Sequence, residues 1–243
     1  MTKDSALRLG IIGSGRAAWA FASAWRRIGW PISGVATRGA ETPIGPRKSV
    51  GDLAGASDIL LVAVSDRAIE EVAASIPDTD AIIVHPSGAL PSLRGGFSLH
   101  PLKALPPVGE PSGLAGTLLV FEGAHRDVAE QIASKAGARF AEITRDAKTR
   151  YHAAAVFGSN YVAALLDIAE ELIGIEGARE DLAALARSAV DNWAAHTDDR
   201  RFTGPAARGE TDIMQRHLAA LRGRPELAEI YRLLAAHIVA TAK

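Results

Sequence analysis

The feature that most limits what this chain can fold into is a six-residue turn, Gly13-Ser14-Gly15-Arg16-Ala17-Ala18. It stands directly after the apolar run Leu9–Ile12 and directly before a helical pattern in which Ala18, Phe21, Trp25 and Ile28 recur and Gly29 ends the run. In that setting Gly13 permits a tight turn, Gly15 lets backbone approach a ligand, and Ala18 keeps the helix close to the strand. The helix N-terminus adds free N–H groups and a partial positive charge, which suit a pyrophosphate. With a second apolar run at 32–37, the segment reads as a βαβ unit.

The same alternation continues. Further strands are expected at 59–64, 81–84, 97–99, 117–121 and 139–143, with helical segments between them, which argues for a parallel sheet covered on both faces. Asp66 is placed to cap the helix after the third strand. Beyond 143 no strand is evident, and helices are expected at 149–175, 178–196, 212–221 and 226–242. They are interrupted where Phe202-Thr203-Gly204-Pro205-Ala206-Ala207-Arg208-Gly209 forbids a continuous helix. The expected class is α/β: a Rossmann-type doubly wound parallel sheet over 1–145, then an all-helical substrate and dimerisation domain over 146–243. Residues 153–166 are apolar on nearly every face apart from Ser159, Asn160 and Tyr161, so burial on all sides is expected. A second subunit would supply part of that cover, giving a homodimer through the helical domain.

Composition narrows the partners. Lys and Arg total 27 against 28 Asp and Glu, so there is no basic excess for nucleic acid or an anionic membrane, and small molecules are expected instead. Cysteine is absent, which removes disulfides, thiolate metal sites and a cysteine nucleophile. The seven histidines are scattered, and no metal is expected. Neither a signal peptide at the N-terminus nor an apolar span of about 20 residues is evident, so a cytoplasmic protein is expected.

The end of the second strand distinguishes the nucleotides. NAD sites usually place an acid about 20 residues after the glycines, where it bonds the ribose hydroxyls. Here the strand ends in Thr37-Arg38, with no acid before Glu41. A guanidinium pairs with a 2′-phosphate, so NADP is expected, with Arg47 and Lys48 as further cations. The missing acid also weakens a reading in which the turn binds S-adenosylmethionine. The cofactor residues expected are Gly13, Ser14, Gly15, Arg16, Ala17, Thr37, Arg38, Val64 and Ser65.

Two His-Pro pairs, His85-Pro86 and His100-Pro101, end apolar runs and face the crevice beyond the strands, where a nicotinamide would lie. Histidine exchanges protons near neutral pH, as carbonyl or imine reduction requires; the plain account of each is a bond to a loop carbonyl. His100 is the candidate proton donor or orienting group. Asn160 and Ser87 are candidate polarising donors, and Lys103 or Arg208 a candidate clamp for a substrate anion.

These motifs resemble the superfamily of small NADP-dependent reductases typified by pyrroline-5-carboxylate reductase, prephenate dehydrogenase and the 6-phosphogluconate and β-hydroxyacid dehydrogenases. The chain is more similar still to an uncharacterised bacterial family with a Rossmann-like domain followed by a helical domain of unknown function. The likeness runs over nearly the whole chain, on residues 13–18, 98–102, 152–161 and 203–209. Asn160 stands where pyrroline-5-carboxylate reductases continue with Gly-Pro. Lys148 is followed four residues later by His152, where hydroxyacid dehydrogenases carry asparagine. What the resemblance implies is the fold, the cofactor and an oxidoreductase acting on a small, anionic carbonyl, imine or hydroxyacid bound between the domains. A non-catalytic NADP(H) sensor is the alternative.

Overall fold

The computed structural model describes residues 5–39 and 42–241. Residues 1–4, on which the reading of the N-terminus partly rests, and Glu41 lie outside the described residues. The chain forms two compact units, residues 1–160 and 161–243.

The first unit runs β1 (Leu9–Ile12), α1 (Arg16–Arg27), β2 (Ile32–Ala36), α2 (Val50–Ala56), β3 (Ile59–Val62), α3 (Asp66–Ser75), β4 (Ile82–His85), β5 (Phe97–Pro101), β6 (Leu118–Gly123), α4 (Arg126–Lys135), β7 (Arg139–Glu142) and α5 (Lys148–Phe157). All seven expected strands form, with ends moved by one or two residues. They make one sheet in the order β2-β1-β3-β4-β5-β6-β7. The chain leaves β1 toward one edge and returns on its other side as β3, so a crevice opens beyond the carboxyl ends of β1 and β3.

The sheet departs from an all-parallel one at a single seam, where β6 pairs antiparallel to β5 and β7 then pairs parallel to β6. The cause is the link 102–117, which holds Pro106, Pro107, Pro111 and three glycines and forms no helix. A parallel return needs a crossover connection, usually a helix; without one the chain doubles back.

Strand alternation divides the core. On one face Phe21 and Trp25 of α1 and Val128, Ala129 and Ile132 of α4 pack on Leu9, Ile11, Phe97, Leu99 and Phe121. On the other, Leu53 of α2 and Ile69 and Ala73 of α3 pack on Ile12, Leu60, Val62 and Ile83. Along β4, β5 and β6 that second face changes character. By the same alternation it carries His85, Ser98, His100 and Glu122, and the register sets His85 beside Ser98 and Ser98 beside Glu122. Helix α5 serves this polar stretch: Lys148 bonds Ser98 and Tyr151 bonds His100.

The second unit is helical: α6 (Asn160–Ile173), α7 (Arg179–Ala195), α8 (Pro205–Arg208), α9 (Thr211–Ala220) and α10 (Pro225–Thr241). The expected single helix over 149–175 is therefore two. Gly158 and Ser159 separate them, and the Ser159 hydroxyl donates to the Ala155 carbonyl at 2.6 Å, a side-chain competitor for helical backbone. Nor is the apolar stretch buried on all sides, since Phe157, Tyr161 and Leu165 are 67%, 50% and 39% exposed. Among the described residues no helix is long and apolar enough to cross a membrane.

Candidate active site

A groove of about 1240 Å³ opens at the crevice, and all nine expected cofactor residues line it. Its two glycines have different reasons to be there. Gly13 has φ +110°, and a Cβ on it would lie 2.3 Å from the Ala63 carbonyl oxygen, so the fold itself excludes a side chain. Gly15 is the N-cap of α1 with an ordinary φ of −80°, and a Cβ there would meet nothing within 4 Å. The space it leaves is free for a ligand at the start of a 12-residue helix. Ala18 is fully buried, which holds the helix against the sheet. The Ser14 and Thr37 hydroxyls lie 3.0 Å apart and tie the turn to the end of β2.

Arg16, Arg38, Arg47 and Lys48 all line this groove. Segment 46–48 is fixed along the edge of β2, because Val35 N–H donates to the Pro46 carbonyl at 2.9 Å and Lys48 N–H to the Val35 carbonyl at 3.0 Å. The acid in the lining, Asp52, is engaged: its carboxylate accepts the Ser49 hydroxyl at 2.7 Å in the capping box of α2. Those hydrogen bonds hold Asp52 below the usual carboxylate range. The groove thus offers open helix N–H groups, a close backbone approach and several cations, a set that fits a pyrophosphate and a further phosphate.

A polar cluster adjoins it. Ser65 lines the groove, and the next residue, Asp66, accepts the Ser87 hydroxyl at 3.0 Å. Ser65 is the N-cap of α3, so Asp66 does not cap that helix; it opens it and faces Ser87. The Ser87 oxygen also accepts the N–H groups of Ala89 and Leu90. Its proton is committed to Asp66, so it is an organiser of the 87–90 loop and not a spare donor. Gly88 packs so closely on two histidines that a Cβ would lie 2.8 Å from His152 and 3.1 Å from His100.

His100 is half-buried. Its Nδ1 lies 2.5 Å from the Tyr151 hydroxyl, and its ring stands edge-on to Tyr151 and His152. Burial, reinforced by His152 and Lys148 and opposed by Asp66, pushes its pKa down to about 4, so it is neutral at pH 7. Burial likewise raises the Tyr151 phenol to about 12. His85 follows the plain account: Nε2 donates to the Pro91 carbonyl at 2.9 Å, Nδ1 accepts the Ser87 N–H at 3.3 Å, and burial lowers its pKa.

The other expected residues make local contacts. Lys103 is exposed and donates to the Gly113 carbonyl at 3.2 Å. Asn160 is exposed, and its side-chain amide lies 3.0 Å from the Ser159 hydroxyl. Arg208, in the second unit, pairs with Glu210 at 2.7 Å.

Two functional candidates went unassigned from sequence, Tyr151 and Lys148. Lys148 is 2% exposed, and its ammonium donates to Ser98 Oγ at 2.7 Å and to the Ser87 carbonyl at 3.3 Å. Behind Ser98, the buried Glu122 carboxylate accepts from Ser92 N–H at 2.7 Å and from the Ser92 hydroxyl at 3.0 Å, and lies 3.4 Å from the Ser98 hydroxyl. Burial pushes the Lys148 pKa down to about 8, against the opposing pull of Glu122 and Asp66. The available signal was parity: Phe97-Ser98-Leu99-His100 puts Ser98 and His100 on one face of β5. Among the described residues no group of three or more His, Asp or Glu side chains is placed to hold a metal ion.

Sheet order, glycine turn and crevice together define a Rossmann-type protein with a helical C-terminal part. Residues 118–238 match the family model of the domain of unknown function DUF2520. Solved structures share the fold at low identity. One is a provisionally assigned NADP oxidoreductase from Bacteroides fragilis, 19% identical over 97% of this chain and 98% of that one, with a TM-score of 0.80. Another is a reductive aminase from Aspergillus terreus in complex with NADPH and ethyl levulinate, 18% identical over 96% and 93%, with a TM-score of 0.67. A third is Plasmodium falciparum pyrroline carboxylate reductase with NADP bound, 12% identical over 98% of each chain, with a TM-score of 0.60. A search of curated proteins found none that matches the sequence.

Proposed function

We propose that this protein is an NADP(H)-dependent oxidoreductase acting on a small carbonyl, imine or hydroxyacid. The observation that carries the reading is the continuity of two sites: a cation-lined groove on an open helix N-terminus, and a His-Tyr-Lys cluster, built on the buried Lys148, that is linked to it through the Asp66–Ser87 hydrogen bond. The NADP and NADPH held by two of the solved relatives support a nicotinamide dinucleotide in this groove. Gly13, Ser14, Gly15, Arg16 and Ala17 hold the pyrophosphate, Thr37 and Arg38 the adenosine end with its 2′-phosphate, and Val64 and Ser65 the path toward the cluster. A nicotinamide bound there would supply the hydride chemistry, and the proton that the substrate heteroatom gains or loses would be exchanged with solvent. His100, neutral, hydrogen-bonds that heteroatom. Lys148 places the Ser87-Gly88 backbone against His100 and keeps positive charge beneath the site, which favours a substrate that is anionic or becomes so.

The test is titration of the purified protein with NADPH and, separately, S-adenosylmethionine, followed by NADPH oxidation with 2-oxo acids, aldehydes and cyclic imines. One NADPH per chain and no S-adenosylmethionine binding are expected. The reverse, or no dinucleotide binding, overturns the reading.

The same proposal includes a homodimer through the helical part. Leu172, Leu185, Trp193, Leu233 and Leu234 are each more than 40% exposed, apolar surface that a second copy would cover. Light scattering should give twice the chain mass, and Trp193→Glu should shift it toward the monomer; a monomeric wild type removes this part.

A further inference from the structure

We infer that Tyr151 is a positioning residue that fixes the proton pattern of His100, so that the imidazole presents a neutral Nε2–H donor beside Gly88. The inference rests on the reading of His100 as the group that meets the substrate, and it adds a residue that no sequence motif marks.

The geometry allows two arrangements across the 2.5 Å contact between Tyr151 and His100 Nδ1. Either the phenol O–H donates to a bare Nδ1, or an Nδ1–H donates to the phenol oxygen. An imidazole nitrogen is the better acceptor and a phenol the better donor, so the first is the stronger bond. In the second, the half-buried phenol would need another acceptor for its own proton, and the described residues give that hydroxyl no other hydrogen bond. With Nδ1 accepting, the single proton of neutral imidazole sits on Nε2.

The Nε2 edge has a defined outlook. A Cβ at Gly88 would lie 3.1 Å from both Nε2 and Cδ2 of His100, so the glycine leaves open the space a side chain would fill on that edge. The charged and titratable groups facing the ring are Tyr151, His152 and Lys148 from α5 and Asp66 from α3, and Asp66 is bonded to Ser87. None supplies a carboxylate to Nδ1, as a histidine acting as a charged acid would require. His100 is therefore built as a neutral donor, which polarises a substrate oxygen or nitrogen without leaving an imidazolium in the site, and Tyr151 holds it so.

The experiment is ¹⁵N-edited NMR of the histidine imidazoles in the full-length protein, with His100 assigned by its loss in His100→Gln. In wild type, His100 should show the neutral Nε2–H pattern and keep it down to about pH 5. In Tyr151→Phe it should become a mixture of both neutral tautomers and titrate at higher pH. An Nδ1–H pattern in wild type, protonation near pH 6.5, or an unchanged tautomer in the variant each overturns the inference; the wild-type spectra decide even if the variant fails to fold. NADPH titration of the wild-type sample separates the two readings. Binding with the wrong tautomer sinks only the role of Tyr151, and no binding with the right tautomer sinks only the cofactor.

Discussion

Gly13→Ala is expected to destabilise the protein by on the order of 3 kcal/mol, whereas Gly15→Ala changes stability by less than about 1 kcal/mol and weakens NADPH binding about ten-fold or more. At Gly13 the alanine must adopt a backbone with φ +110° and place its Cβ 2.3 Å from a carbonyl oxygen whose strand is held on both sides. Nothing soft is available to move. At Gly15 the backbone is one that alanine adopts freely and the Cβ enters empty space, so the entropy lost by the unfolded chain offsets much of the cost of a poorer N-cap. The new methyl then stands where a pyrophosphate must approach the first turn of α1. Urea denaturation and NADPH titration of the two variants separate the effects. Equal loss of stability in both would show that Gly15 serves the fold and not a ligand.

The second large effect belongs to Lys148. Lys148→Met is expected to cost on the order of 2 kcal/mol at pH 7, because Ser98 Oγ and the Ser87 carbonyl lose their donor and Glu122 keeps a buried charge with no cation nearby. Relief from burying the ammonium offsets part of that loss, which is why the figure falls below that of a directly broken buried pair. The pH dependence gives a sharper signature. The folded pKa is about 8 against an ordinary 10.5, so between those values the unfolded lysine holds its proton and the folded one has released it. Stability contributed by this group therefore rises with pH across that window. Denaturation midpoints at pH 7.5 and 10 should show the rise in wild type and not in Lys148→Met. A midpoint difference that does not change with pH would contradict the assignment.

How far the sequence reveals this molecule depends on the range of the interactions. The strands are legible because each is a short apolar run closed by glycine, proline or a polar turn. The phosphate turn is legible because all its parts lie within six residues, from Gly13 to Ala18. The polar cluster is not. Lys148 reaches Ser98 across 50 positions and His100 reaches Tyr151 across 51, and each residue alone has an ordinary surface or loop explanation. Lys148 stands where hydroxyacid dehydrogenases carry their lysine, but the break in that pattern at His152 leaves it without a role, and only the sheet register that aligns Ser98 with Glu122 shows why it is buried. The antiparallel seam at β6 was equally hidden, since it follows from a proline-rich link that lacks a crossover helix. Lys103 and Arg208 were read from type and position, but nearby acceptors already engage both.

The most direct test of the central claim is calorimetric titration of wild type and Arg38→Ala with NADPH and NADH. Wild type should prefer NADPH, and the variant should lose about ten-fold or more in NADPH affinity while NADH binding hardly changes, as removal of a 2′-phosphate partner requires. Equal affinity of wild type for both dinucleotides, or for neither, would contradict that claim.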